Sequence, residues 1–240
     1  MSHLNGKRVV IIGAGSGIGR SIAIACSQEG AAIVLGGRSS ESLEETAKLS
    51  SGATEVRVVD ATVESEVEAF FEQVGAFDHL VSTITQGIAG PIAELRLADV
   101  QRVMAAKLWA PVLLVKHGAP RIAADGSFTF FSGIRGARPA PRTSITSMVN
   151  GGLEAFAKAM AVELGPVRVN VISPGIVDSG SFWGGLGAEE RDRMFADFAR
   201  RSPARRVGQP EDQASAALFA IANPFLTGTV LAVDGGALLM

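Results

Sequence analysis

Tyrosine is missing altogether from this chain of 240 residues, whose aromatic side chains are 12 Phe and 2 Trp. Any reaction that needs a phenol as proton donor must therefore be run with another group. Cysteine is nearly missing too, and the lone Cys26 excludes an internal disulfide. His3, His79 and His117 stand singly, so no spaced ligand set exists and no metal is expected. There is no cationic excess: 22 Lys+Arg face 24 Asp+Glu, for a net charge of −2. Without a basic field to meet a phosphate backbone, nucleic acid is not an expected partner. Long apolar runs are absent as well, since stretches such as Val9-Val10-Ile11-Ile12 are of strand length, far below the roughly 20 residues of a membrane span. The start, Met-Ser-His-Leu-Asn-Gly-Lys-Arg, has no apolar signal core, so the expectation is a soluble, cytoplasmic protein with no membrane partner.

What the chain does have is a 47% share of hydrophobic residues, enough for one domain with a sizeable core. Short β-branched runs at 8–12, 32–35, 56–59, 79–84, 127–131, 167–172 and 229–233 read as strands. Between them, helical periodicity marks 17–29, 41–49, 64–74, 99–118, 143–164 and 211–222. Alternation of this kind implies an α/β fold: a doubly wound parallel sheet of about seven strands with helices on both faces, in a single domain over 1–240. Residues 178–208 break the alternation with Gly, Trp and charge, and the stretch 177–206 reads as a lid over a pocket.

The first strand runs into Gly13-Ala-Gly15-Ser16-Gly17-Ile18-Gly19 and then an apolar helix. Glycines there permit a tight turn and a close backbone approach, and the helix N-terminus offers N–H groups and a positive dipole end to a pyrophosphate. The bland alternative is a glycine-rich packing turn. After the second strand an NAD-binding fold needs an acid for the ribose hydroxyls. Here the strand ends Gly36-Gly37-Arg38-Ser39, and a guanidinium beside a hydroxyl suits a 2′-phosphate, which favours NADP(H). Arg38 is otherwise a solvated surface charge. Asp60, closing the third strand before Ala61, has two readings: acceptor for the adenine amino group, or cap of the helix that starts near Val63.

These features resemble the short-chain dehydrogenase/reductase family over nearly the whole chain. The glycine turn at 13–19 is one match, and Asp60 is a second. Others are Arg168-Val-Asn170-Val-Ile-Ser-Pro174-Gly175-Ile176-Val177 and the tail from Arg206-Val-Gly208-Gln-Pro210-Glu211-Asp212 through Thr227-Gly228 to Val233-Asp234-Gly235-Gly236. The resemblance implies a Rossmann-type fold that binds a nicotinamide cofactor and assembles as a homodimer or homotetramer. Carried over residue by residue, it implies cofactor contacts at Gly13, Gly15, Ser16, Gly17, Ile18, Gly19, Asp60, Ala61, Thr83, Asn150, Pro174, Gly175, Ile176, Val177 and Ser179, beside the Arg38 and Ser39 corner.

The departures fall on the chemistry. The family places a Tyr-x-x-x-Lys pair on the helix that ends here in Ala161-Val-Glu163-Leu164. Counting back, the lysine position holds Asn150 and the tyrosine position Thr146. The serine position holds Gly133, with Ser132 as its neighbour, and the helix asparagine becomes Lys107. The family's Asn-Asn-Ala-Gly is replaced by Ser82-Thr83-Ile84-Thr85, and Ile12 stands where threonine is usual. Thr146 donates a hydrogen bond but does not ionise near neutral pH. Asn150 bonds a ribose hydroxyl yet brings no charge. Thr143, Thr146, Ser147 and Asn150 share one helix face, polar and neutral.

Lys107 is the one new ionisable group mapped to the site. Burial would lower its pKa toward use as a proton donor; the alternative is a solvated or salt-bridged helix lysine. Arg135, Arg138 and Arg142 cluster after the fifth strand, and one of them is a candidate to anchor an anion. The expectation is an atypical NADP(H)-dependent reductase for activated carbonyls or quinones, whose reduced oxyanions need only hydrogen bonds from Lys107, Ser132 or Thr146. The alternative is an NADP-binding pseudoenzyme that serves as redox sensor or structural subunit. Phe182-Trp183 points to an apolar substrate or to lid packing, and the apolar tail Ala237-Leu-Leu-Met240 to a subunit contact.

Overall fold

Strand β1 (Arg8–Ile12) shows why the sheet is central: Val9, Val10, Ile11 and Ile12 are all fully buried, so both faces of the strand are covered. A computed structural model describes residues 4–240; His3 and the side chain of Phe182 lie outside the described residues. In chain order the elements are β1, α1 (Gly17–Gln28), β2 (Ala32–Gly37), α2 (Ser40–Leu49), β3 (Thr54–Val58), α3 (Glu64–Val74), β4 (Phe77–Ser82), α4 (Leu97–Met104), α5 (Ala110–Gly118), β5 (Ile122–Phe131), α6 (Ser144–Glu163), β6 (Arg168–Pro174), α7 (Ala188–Arg201), α8 (Pro210–Ala222) and β7 (Val230–Val233). The seven strands pair in parallel in the order β3-β2-β1-β4-β5-β6-β7. Consecutive strands run outward from β1 in one direction, then cross over to β4 and run outward in the other. Ligand crevices of such sheets lie outside the carboxyl ends of the strands at that reversal.

Alternate side chains send two cores to the two faces. On one face Phe71, Phe77, Phe128 and Phe130 pack with residues of α3, α5 and α6, with ring centroids 5.6 to 6.4 Å apart along the row. On the other, Ile22, Ala23 and Cys26 of α1 meet Leu43 of α2, Ala217 and Ile221 of α8 and the opposite sides of β1, β2 and β6. Each large side chain so buried contributes about 1.5–3 kcal/mol. Burial also pushes the Cys26 thiol up to about 12, which leaves it an inert small hydrophobe. Arg168, at the start of β6, is buried and donates to the carbonyls of Ala220 and Ile221, both at 2.7 Å. A cation thus caps the C-terminal end of α8 and fixes it over the sheet.

Two features depart from the expected pattern. The single helix expected over 99–118 is interrupted by a π turn at Ala105–Trp109, between α4 and α5. The stretch 178–208 carries a 3₁₀ turn, Gly180–Trp183, and then α7, whose Phe195 meets Trp183 edge-on at 5.7 Å. No helix among the described residues is long and apolar enough to cross a membrane, and no cluster of His, Cys, Asp and Glu among them could hold a metal.

Candidate active site

The crevice begins where β1 ends. Gly13 and Ala14 donate to the carbonyl of Gly36 at 2.8 and 3.3 Å, so the glycine turn is clipped to the end of β2. Gly19 has no alternative: a Cβ there would stand 2.1 Å from the carbonyl oxygen of Gly13. Gly17 adopts φ +51°, and a Cβ on it would meet the carbonyl of Ser179 at 2.8 Å. Arg20 donates to Gly15 O at 2.6 Å and to Glu45 of α2 at 2.8 Å, which holds the turn against the neighbouring helix. Thr83, at the end of β4, donates weakly to the carbonyls of Ile12 and Gly13 at 3.4 and 3.3 Å. The first turn of α1 carries no acid, so its positive end and N–H groups are left for an anion. A cradle that any Cβ would fill is what a dinucleotide pyrophosphate needs, and the residues fit it.

At the ribose corner Arg38 is exposed at the end of β2. Ser39 accepts from Ser42 N at 3.3 Å and so caps α2. Asp60 settles one alternative against the helix cap, because the N-cap of α3 is Val63. Instead Asp60 Oδ1 accepts from the backbone N and the hydroxyl of Thr62, at 2.9 and 2.7 Å, an Asx turn that leads the chain from β3 past Ala61. Partial burial pushes the Asp60 carboxyl up, but the two Thr62 bonds and the nearby Arg38 charge leave it below its usual range.

The opposite edge is built by β6. Pro174 O accepts from Ile134 N at 3.1 Å, and Gly175 packs so closely that a Cβ would meet Asp234 O at 2.7 Å. Beyond Ile176, Val177 bridges to Gly208, and its carbonyl accepts Trp183 Nε1 at 2.6 Å. Ser179 is thereby laid across the glycine turn.

The catalytic face lies between these edges, at the end of β5. Lys107 projects from the π turn and is only 6% exposed. Its Nζ donates to the carbonyls of Phe131 at 2.8 Å and Ser132 at 3.1 Å. Burial lowers its pKa to about 8, and it has no ion pair among the described residues. Insertion of a π turn rotates the following residues and is a recurrent device at functional sites; here it aims Lys107 at the sheet. Ser132 is buried, and its hydroxyl donates to Glu154 Oε1 at 2.8 Å. Thr146 donates to Ile88 O at 2.8 Å. Asn150 is 3% exposed; its Nδ2 donates to Gly133 O at 3.3 Å, while its Oδ1 is buried with no partner. An orphaned acceptor of that kind costs about 1–3 kcal/mol unless a ligand hydroxyl meets it. At the serine position, a Cβ on Gly133 would lie 3.2 Å from Asn150 Nδ2.

So Lys107, Ser132, Gly133 and Asn150 converge, whereas the hydroxyls of Ser132 and Thr146 are both spent on protein acceptors. Glu154 was not singled out from the sequence. Its spacing carried the signal, since Thr146, Asn150 and Glu154 recur every four residues on α6 and share a face. Of the three arginines after β5, Arg138 donates to Ala237 O and Arg135 to Arg138 O, while Arg142 is exposed with φ 67°.

Known proteins resemble the chain in sequence and in fold. The family model for enoyl-(acyl carrier protein) reductase matches residues 13–237. A short-chain dehydrogenase/reductase of Stachybotrys chlorohalonatus, ATR9, is 31% identical over 255 aligned positions, covering 100% of both chains. A small-chain dehydrogenase solved in complex with NADPH is 34% identical and superposes with a TM-score of 0.83 over 98% of this chain and 99% of that one. The MalC reductase/Diels-Alderase of Malbranchea aurantiaca is 27% identical, with a TM-score of 0.92 over 100% of this chain and 99% of its own. With a family model matched over residues 13–237 and a relative 31% identical over the whole of both chains, the chain belongs to the short-chain dehydrogenase/reductase family of oxidoreductases.

Proposed function

We propose that the protein is an NADP(H)-dependent reductase of activated carbonyls or quinones in which Lys107 takes over proton delivery. The observation that carries this reading is Lys107 itself: a buried ammonium, bonded to two carbonyls at the end of β5, with a pKa of about 8. That value is well matched to general acid work near neutral pH. An ammonium has three N–H donors and the protein uses two, so one is left for a developing oxyanion. A nicotinamide cofactor held by the glycine turn, Arg38 and Asn150 would supply the hydride equivalent for the reduction. Lys107 then gives its proton to the oxygen, and the product is an alcohol or a quinol. Asn150 Oδ1 is the acceptor for a ribose hydroxyl, and Arg38 is the partner of the 2′-phosphate. The NADPH complex of the related small-chain dehydrogenase supports the choice of cofactor. Activated acceptors are favoured because their oxyanions are weak bases and a single donor suffices.

The second reading, an NADP-binding sensor or structural subunit without turnover, draws on the hydroxyls of Ser132 and Thr146, which are both committed to Glu154 and Ile88. A fluorescence titration with NADPH and NADH, followed by an acceptor panel, separates the two. Tight NADPH binding with turnover of quinones or dicarbonyls supports the reductase; tight binding with no turnover supports the sensor. In either case the chain is proposed to assemble as a homodimer or homotetramer. The exposed Trp109, Val162 and Phe225 support this, and light scattering on the purified protein tests it.

A further inference from the structure

Neighbouring arginines in this protein are joined by a carboxylate in three places. Glu55 bridges Arg8 and Arg57, Asp99 bridges Arg96 and Arg102, and Asp197 bridges Arg200 and Arg201. Arg135 and Arg138 lie in the loop from β5 to α6, where burial first, and then the charge of Arg138, holds the Arg135 guanidinium below its ordinary pKa. Yet neither has an ion pair among the described residues. Each guanidinium has five donors; Arg135 spends one on Arg138 O in a long bond of 3.4 Å, and Arg138 spends one on Ala237 O. Two half-buried cations with no ion pair among the described residues form an incomplete site.

The place of this pair in the fold says what completes it. Ile134 N donates to Pro174 O at 3.1 Å, so Arg135 follows directly on the residue that ties the loop to the Pro174-Gly175 edge. Two residues back is Gly133, whose carbonyl receives Asn150, and the two carbonyls before that hold Lys107. We propose that Arg135 and Arg138 form an oxyanion subsite at the carbonyl end of the crevice, and that the substrate carries a carboxylate beside the carbonyl group that is reduced. Resting on the reductase reading above, this assigns the class of 2-oxo acids. Such a substrate gains a second negative charge as hydride arrives: Lys107 would meet that oxyanion, and Arg135 and Arg138, on the loop that follows the Phe131 and Ser132 carbonyls, would meet the carboxylate. Guanidinium forks match a carboxylate bidentately.

The test uses a matched pair, phenylglyoxylate and its methyl ester, with the full chain and its Arg135→Gln variant. Arg135 contributes one weak internal bond, so the variant keeps the fold. Wild type is expected to bind phenylglyoxylate in saturation-transfer NMR and to turn over the acid with a KM about ten- to a hundredfold below that of the ester. In Arg135→Gln the KM for the acid rises to that of the ester, with the NADPH Kd unchanged. Equal binding of acid and ester by wild type, or an acid preference that survives in Arg135→Gln and Arg138→Gln, overturns the subsite. Loss of NADPH affinity in the variant with the acid preference retained also overturns it, since the oxyanion is then a cofactor phosphate. Absence of turnover in wild type refutes the reductase reading alone, because the NMR comparison does not depend on catalysis.

Discussion

The ends of β1 and β5 lie two strands apart in one sheet, yet they are built on opposite principles. At β1 the work is done by backbone: Gly19 is seated where a Cβ would be 2.1 Å from Gly13 O, and Gly13 is hydrogen-bonded to Gly36. At β5 it is done by polar side chains, with Lys107, Ser132, Asn150 and Glu154 in a small cluster. A cradle made of excluded volume tolerates no substitution. A cluster of donors and acceptors tolerates exchange so long as each buried group finds a partner.

The largest expected effect breaks the first region. Gly19→Val forces side-chain atoms into the Gly13 carbonyl, at a cost of at least about 3 kcal/mol; NADPH binding is expected to vanish in a fluorescence titration, and the melting temperature to fall. Next, Lys107→Met removes the proposed proton donor from the second region and is expected to lower kcat by about 10²–10⁴ with NADPH binding retained. The sign of the pH dependence follows from the pKa of about 8. Reduction needs the ammonium, so the wild-type rate falls as pH rises through 8, and the variant loses that limb in a pH–rate profile. The same burial disfavours the charged form in the folded state, so stability gains from this group as pH climbs from about 8 toward 10.5, a slope absent from the variant's chemical denaturation.

Arg38→Ala sharpens the contrast within the cofactor frame. It is expected to weaken NADPH about ten- to a hundredfold while NADH is unaffected, as read by parallel titrations; equal losses for both would take the 2′-phosphate from Arg38. Smallest is Thr146→Val. Its hydroxyl is bonded to Ile88 O, so the change is expected to cost about 1 kcal/mol of stability and to leave kcat within about twofold. A collapse of kcat would make Thr146 a participant in proton transfer.

The same contrast explains how much was legible beforehand. The strands, the glycine turn and the Pro174-Gly175 edge could be read because hydrophobic period and the steric need for glycine are local properties. The π turn could not, since nothing in Ala105–Trp109 announces an i→i+5 bond, and so the burial of Lys107 stayed open between two readings. Asp60 offered a cap by its spacing, but hydrogen bonding to Thr62 is a choice among near neighbours that only geometry decides. Glu154 was passed over because a charged residue on a helix usually faces water; its value comes from Ser132, 22 residues away in sequence.

The π turn also sets a phase. Each α-helical residue advances the chain by about 100° around the axis, so α4 and α5 are out of step by the one residue that the wider turn absorbs. Wound as one continuous α-helix over the same residues, α4 and α5 would lose the wider turn that absorbs the extra one. Every side chain from Lys107 onward would then swing by about a quarter turn, carrying the ammonium off the Phe131 and Ser132 carbonyls while Leu114 turned away from its core. In this fold Lys107 is aimed by an odd residue in the count, and length, as much as chemistry, is what that stretch of chain has to keep.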